Sequence, residues 1–367
     1  MDTASFELTV AEVVEETADA HSVTFEVPDE HADHFSYQPG QFLTVAVPSD
    51  RTGVAARCYS LSSSPLSYEE TGRLTITVKR TVDGYASHWI CDRLRRGDTL
   101  RVLPPSGIFT PASLDADLLL FAGGSGITPI LSITRTALAQ GSGRIVLFYA
   151  NRDESSVIFA AELSALAAEH PERLQVVHWL ESVQGLPTPE QMKAFAAAHS
   201  SADAFVCGPA PFMKMTVGAL KELGFPRDRR HQEKFVSLGG NPFGDLHDVE
   251  VAESEISAAE TDEQDAADDA AVGARGPARL EVELDGEQHA FDDWEAGTKM
   301  LDHLEAKGIK APYSCREGEC SACAVRLLEG EVKLLHNDVL DDEDLDEGIR
   351  LACQALPVTD TVKVTYS

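Results

Sequence analysis

The chain has 367 residues, 43% of them hydrophobic, so it can build two or three cores and is not disordered throughout. No apolar run nears the ~20 residues of a membrane span, and Met1–Glu7 lacks the basic and apolar regions of a signal peptide, so a cytoplasmic protein is expected. With 30 basic against 61 acidic side chains, a net charge of −31 excludes bulk nucleic acid as a ligand and favours a basic partner surface.

Residues 1–112 read as strands. Phe6–Val10, Val23–Val27, Leu43–Val47 and Leu74–Val78 alternate in period two, the pattern of half-buried strands. Short alternating strands punctuated by Gly and Pro predict a small antiparallel β-barrel, with one helix over 86–96. Arg57-Cys58-Tyr59-Ser60-Leu61 is expected just after a barrel strand. A guanidinium can grip a pyrophosphate bidentately, an aromatic ring can pack on a flavin, and a hydroxyl can reach a flavin nitrogen. Val78, Lys79 and Arg80 end a later strand, and Gly84 to Ser87 opens the helix, whose N-terminus suits phosphate. Arg-x-Tyr-Ser alone also fits a chance surface strand end. Paired with Gly-x-x-Ser at a helix start, it points to a flavin nucleotide.

Residues 113–237 change period. Apolar runs at Leu118–Ala122, Ile145–Tyr149, Leu174–Leu180 and Ala204–Cys207 alternate with helical stretches near 129–140, 159–169, 189–198 and 211–223. This predicts an α/β domain, a parallel sheet with crossover helices. Gly123-Gly124-Ser125-Gly126-Ile127-Thr128-Pro129 follows the first run. Its glycines let backbone approach a pyrophosphate, and Pro129 suits the first turn of a helix. It is not the Gly-x-Gly-x-x-Gly fingerprint, because Pro129 stands where the third Gly would be. A plain strand-to-helix turn would read the same way. Cys207-Gly208-Pro209 ends another predicted strand, where ligands of open α/β sheets bind.

Residues 238–276 are expected to be a linker. Within them, 245–275 carry one basic and 11 acidic side chains, too few apolar anchors to offset the entropy of ordering. A solvated acidic helix is the alternative. Residues 277–367 predict a compact α+β domain: a strand over 279–284, an Asp285-Gly286 hairpin turn, a helix over 298–307 and a last strand over 362–366.

Seven cysteines, an odd number without an export signal, argue against disulfides. Four of them follow the spacing Cys315-x4-Cys320-x2-Cys323-x29-Cys353, the plant-type pattern for a [2Fe–2S] cluster. Two irons need four converging thiolates, three from one tight loop and one from a remote segment. Structural zinc more often takes two Cys-x2-Cys pairs or Cys/His mixtures, and only one such pair occurs here.

At these residues the chain resembles the ferredoxin–NADP reductase superfamily, in its form fused to a C-terminal plant-type ferredoxin domain. Within it, Ala56–Leu61, Thr77–Thr81 with Asp83–Ser87, Tyr149–Asp153 and Ser314–Gly318 resemble reductase components of 3-ketosteroid 9α-hydroxylases. The resemblance implies a multidomain fold: an FAD-binding β-barrel, an NAD-binding α/β domain and a β-grasp-like ferredoxin domain. It implies that Arg57, Tyr59 and Ser60 bind FAD, with Val78, Lys79, Arg80, Gly84 and Ser87 around its phosphates and Phe235 near the flavin ring. Gly124, Gly126, Thr128, Gly208 and Pro209 would hold the nicotinamide nucleotide. Ser60 and Cys207 would border the reacting rings. Electrons would pass from NADH through FAD and the [2Fe–2S] cluster to a terminal oxygenase, of Rieske type if the steroid likeness holds. The alternative is the reductase subunit of a phenylacetyl-CoA epoxidase-type di-iron oxygenase. A redox sensor is a different class, disfavoured by the lack of a basic DNA-binding patch. The resemblance implies NADH over NADPH; the residues themselves are mixed, since Asp153 would repel a 2′-phosphate and Arg152 beside it could bind one.

Overall fold

The computed structural model describes residues 5–49, 53–81, 84–235, 242–243, 277–284, 286–309, 311–313, 316–318, 320–340 and 342–366. The expected linker, Asp83, Cys315 and the Asp285 half of the hairpin turn lie wholly or almost wholly outside these residues. The chain divides into two compact units, one built from Asp2–Pro48 with Ala55–Gly239 and the other chiefly from Gly240–Ser367.

The first unit opens with β1 (Phe6–Thr17), β2 (Ala20–Glu26), β3 (Phe42–Ser49), β4 (Gly53–Ser60), α1 (Pro65–Thr71), β5 (Arg73–Lys79), α2 (Tyr85–Arg93) and β6 (Thr99–Val102). Six strands run in the order β4-β3-β6-β1-β2-β5. The two edges meet where Leu61 bridges Ile76 and the Ser62 amide donates to Thr75 O at 2.8 Å, which makes a barrel of the sheet. Its core is the alternating set read from the sequence: Val10, Val23, Phe25, Val45, Leu74 and Ile76 are at most 1% exposed. Three details differ from expectation. β4 and β6 join the four strands read from alternation. Arg57–Ser60 is the end of β4 itself, and α1 was not foreseen, although Ser64 caps it by accepting from the Ser67 amide and Pro65 starts it.

The unit continues with β7 (Leu118–Gly123), α3 (Ile127–Gln140), β8 (Ile145–Asn151), α4 (Ala160–Glu169), β9 (Leu174–Leu180), α5 (Glu181–Gln184), α6 (Pro189–Ala196), β10 (Asp203–Cys207), α7 (Ala210–Glu222) and β11 (Arg230–Glu233). These strands form an all-parallel sheet in the order β11-β10-β7-β8-β9. Helices on both faces explain why β7 is buried along its whole length. Each fully buried Leu or Phe contributes about 1.5–3 kcal/mol. α3 locks onto the barrel just after Ser60: Arg135 Nη1 donates to Ser62 O at 2.5 Å and Ser132 Oγ to Ser63 O at 2.6 Å.

The second unit holds β12 (Ala278–Leu284), β13 (Glu287–Trp294), α8 (Met300–Ala306), β14 (Ala324–Glu329), β15 (Val332–Leu334), α9 (Asp342–Asp346), β16 (Ile349–Leu351), β17 (Ala355–Pro357) and β18 (Thr361–Thr365). Its main sheet runs β13-β12-β18-β14-β16, with β12 and β18 parallel, and β15 pairs with β17 apart from it. Trp294, Leu301, Leu304, Val362 and Val364 fill the space between α8 and this sheet, each fully buried. No helix among the described residues is long and apolar enough to cross a membrane.

Candidate active site and iron–sulfur loop

In the parallel sheet the chain runs outward from β7 to β8 and β9 on one side, and to β10 and β11 on the other. The turn after β7 and the turn after β10 therefore meet at the point where strand order reverses, the usual ligand crevice of open α/β sheets. Their closest contacts are backbone on backbone, with Pro209 and Phe212 packed against Gly123. A Cβ on Gly126 would lie 2.2 Å from Cys207 O, and one on Gly208 (φ +157°) 2.9 Å from Gly123 N. No side chain fits at either place. Gly124 has φ +52°, and its carbonyl accepts from the Tyr149 hydroxyl at 3.1 Å. A Cβ on Gly124 would lie 3.8 Å from Lys79 Nζ, which also faces Asp19 at 3.7 Å. An ammonium beside a glycine turn at a helix N-terminus is a fit donor set for a pyrophosphate. Thr128 is buried, with its hydroxyl donating to Ser125 O at 3.1 Å, so it braces this turn from within.

Cys207 and Glu233 are register partners at the ends of β10 and β11. Burial pushes the Cys207 thiol well above its ordinary range and raises the Glu233 carboxyl to about 8. Two buried, proton-holding groups thus stand side by side at the crevice. Glu233 was not singled out from sequence; its one signal was its place in Glu233-Lys234-Phe235. Phe235 follows it, 48% exposed.

On the barrel, Arg57, Tyr59 and Ser60 lie on one edge strand, a cation, an aromatic ring and a hydroxyl in sequence order. This donor set suits a flavin nucleotide. Ser60 is 4% exposed, and burial raises the Tyr59 phenol. Val78 is fully buried in the barrel core and can offer only backbone. Arg80 is committed elsewhere, donating to Asp92 at 2.7 Å and to Ala18 O at 2.9 Å. The Ser87 hydroxyl accepts from the Thr81 amide at 3.1 Å and donates to Gly84 O at 3.2 Å, tying Thr81 to the start of α2.

Beyond β8, Asp153 caps a short helical turn, accepting from the Ser156 amide at 2.9 Å and the Ser155 hydroxyl at 2.7 Å. The Ser155 bond first, then the Ser156 amide, holds this carboxyl below its ordinary range. Arg152 donates to Asp19 at 2.9 Å. The acid is kept charged and the arginine is already paired, which disfavours a 2′-phosphate there.

In the second unit Cys320, Cys323 and Cys353 are all buried, and no disulfide joins them. The Ala352 amide donates to Cys323 O at 3.0 Å, tying the cysteine loop to the strand that leads into Cys353. Arg316 takes a left-handed backbone (φ +61°), which costs a non-glycine residue about 1–2 kcal/mol. Gly318 (φ +79°) must be glycine, since a Cβ would lie 2.6 Å from His336 O. Among the described residues no three His, Cys, Asp or Glu side chains gather round one point. A two-iron cluster asks for two thiolates per iron, and Cys315 lies outside the described residues. Buried thiols on a strained loop held to a second segment fit such a cluster.

Three family models match in chain order: an oxidoreductase FAD-binding domain over 7–110, an oxidoreductase NAD-binding domain over 120–218 and a 2Fe-2S iron-sulfur cluster binding domain over 282–358. The chain is 55% identical to the ferredoxin reductase component of 3-ketosteroid-9-alpha-monooxygenase of Rhodococcus rhodochrous, over 98% of this chain and 96% of that one. It is 31% identical to one of the polypeptides of the 1,2-phenylacetyl-CoA epoxidase of Escherichia coli, over 98% and 97%. The crystal structure of phthalate dioxygenase reductase shares the fold, with TM-score 0.57 over 99% of this chain and 98% of that one at 23% identity. The protein is an NAD(H)-dependent oxidoreductase that carries FAD and a [2Fe–2S] cluster. It belongs to the family of the 3-ketosteroid-9-alpha-monooxygenase ferredoxin reductase components.

Proposed function

We propose that this chain takes electrons from NADH and delivers them to a terminal oxygenase that hydroxylates 3-ketosteroids at carbon 9. The observation that supports the coenzyme end is the interlock of the Gly123–Gly126 and Cys207–Pro209 turns beside Lys79, at the switch point of the parallel sheet. The oxygenase end is supported by the 55% identity to the Rhodococcus steroid monooxygenase reductase. Bound NADH supplies a hydride, FAD accepts two electrons and releases them singly, and the [2Fe–2S] group carries one at a time. The protein's part is positioning. Arg57, Tyr59 and Ser60 hold the flavin, with Gly84, Ser87 and the Val78 backbone around its phosphates and Phe235 beside its ring. Lys79 serves the glycine turn, and Arg80, expected at the phosphates, is instead taken up by Asp92 and Ala18 O. Gly124, Gly126, Thr128, Gly208 and Pro209 admit the pyrophosphate of the coenzyme. Ser60 and Cys207 border the reacting rings, and Cys207 stays protonated there because it is buried. Cys315, Cys320, Cys323 and Cys353 hold the cluster. Domain limits near 112, 237 and 277 follow from this division of labour.

Reconstitution tests it. The purified chain, with NADH and a purified 3-ketosteroid oxygenase, should hydroxylate its steroid with NADH use coupled to product. Coupling only to a di-iron phenylacetyl-CoA epoxidase would assign the second reading instead. A kcat/KM favouring NADPH would overturn the coenzyme choice.

A further inference from the structure

Three of the four cysteines fall within the nine residues 315–323, while the fourth stands thirty positions after Cys323. A cluster that bridges the two segments is held only as firmly as they are held to each other. One tie is the backbone bond from Ala352 to Cys323. Another is a side chain. Gln354, 3% exposed and next to Cys353, donates from Nε2 to Arg316 O at 2.6 Å. The same nitrogen lies 3.9 Å from Cys353 Sγ, a long N–H···S contact.

The loop is shaped around this amide. A left-handed non-glycine residue persists only where its surroundings over-determine it. For Arg316 the side chain is held by the Tyr313 ring, 4.1 Å from the guanidinium, and by Asp302 and Glu305. Its carbonyl is held by Gln354. Two residues on, a Cβ at Gly318 would lie 3.1 Å from Gln354 Cγ, so the absence of a side chain there makes room for the glutamine stem. The Gln354 backbone is fixed as well, its amide donating to Leu351 O and its carbonyl accepting from Leu335 N, both at 2.9 Å.

We propose that Gln354 is a positioning residue for the [2Fe–2S] group, fixing the cysteine loop against the strand of the fourth ligand and donating toward a ligand sulfur. This rests on the cluster assignment and goes beyond it, because Gln354 is not a ligand. An N–H directed at a ligating thiolate stabilises its charge, and such contacts tune cluster potentials. A mere core filler would do neither.

The test uses the full-length holoprotein. Gln354→Met keeps the length of the side chain and removes both donors. Val362→Ala, in the sheet core away from the loop, is the control for general loosening of the unit. Gln354→Met should lose iron to a chelator roughly fivefold faster, as expected for one lost hydrogen bond. It should also lower the midpoint potential and alter the EPR signature of the reduced cluster. Val362→Ala should speed iron loss only as far as it lowers the unit's melting temperature, with potential and EPR signature unchanged. In an Arg316→Gly background, where left-handed backbone carries no penalty, the effect of Gln354→Met on iron loss should shrink. Flavin content and NADH–ferricyanide activity should stay at wild-type level in all variants. If Gln354→Met does not fold, Gln354→Asn, which keeps the amide but shortens its reach, is read by the same measurements. An unchanged potential and EPR signature in the folded Gln354 variant would overturn the proposal. Wild-type protein without two irons per chain would instead reject the cluster.

Discussion

At the nucleotide end of the parallel sheet, positions are inherited from strand register. Cys207 faces Ala122 on one side and Glu233 on the other because β10 lies between β7 and β11. The glycine turns interlock chiefly through backbone atoms, with Pro209 and Phe212 packed against Gly123. In the cysteine loop, by contrast, side chains add to the backbone bond from Ala352 to Cys323: Arg316 on Tyr313, Asp302 and Glu305, and Gln354 on Arg316 O. The first region should tolerate side-chain changes and fail when backbone is pushed apart. The second should fail when one clamp or one ligand is lost.

The largest expected effect breaks the second region only. Cys320→Ser should abolish the cluster and oxygenase-coupled turnover while leaving FAD content and NADH–ferricyanide activity intact, as read by iron analysis and the two assays. Loss of the ferricyanide activity would show that the regions are not independent. Gly126→Ala strikes the first region through its backbone, since the added methyl meets Cys207 O at 2.2 Å. A shift of that size should cut kcat/KM for NADH by roughly 100-fold, with iron content unchanged. A near-normal value would mean that the turns yield easily and register is not what holds them.

A smaller effect separates burial from register. The folded-state pKa of Glu233 is raised to about 8 from an ordinary 4.5, so the folded chain keeps a proton that the unfolded chain gives up. Its contribution is intact below pH 4.5, declines as pH rises, and is lost above pH 8. Glu233→Gln should therefore melt like wild type near pH 5 and a few degrees higher at pH 8. Equal melting temperatures at both pH values would place the charge in water. The smallest effect concerns the net −12 of residues 276–367. Oxygenase-coupled turnover should fall severalfold as ionic strength rises, with NADH–ferricyanide activity little changed. Salt-independent coupling would remove charge from the docking step.

Much of this was legible in the sequence, and the limit has a physical cause. Glycine turns, the Arg-x-Tyr-Ser run and the cysteine spacing are local, so residue type and spacing carry them. The apolar runs of β7 and β8 announced a buried parallel sheet in the same way. Glu233, Tyr149 and Gln354 matter through what a distant segment places beside them, and nothing in their neighbours announces that. β11, Arg-His-Gln-Glu, reads as a polar surface stretch and became a strand only through pairing with β10. The motif residues Arg57 to Ser60 were found, but the strand that carries them, β4, was not, because Gly53–Ser60 shows no apolar alternation.

The order of the second sheet has a consequence for biosynthesis. β18 is the middle strand of five, yet it is the last element of its unit to leave the ribosome. Until residues 361–365 emerge, β12 and β14 have no neighbour to join them, and Val362 and Val364 are missing from the core. The reductase unit, whose strands all precede residue 234, has by then had roughly 6–25 s to fold at ordinary elongation rates. Flavin can load during translation. Iron has to wait for β18, so a message stopped ahead of codon 361 should yield a yellow protein that cannot turn brown.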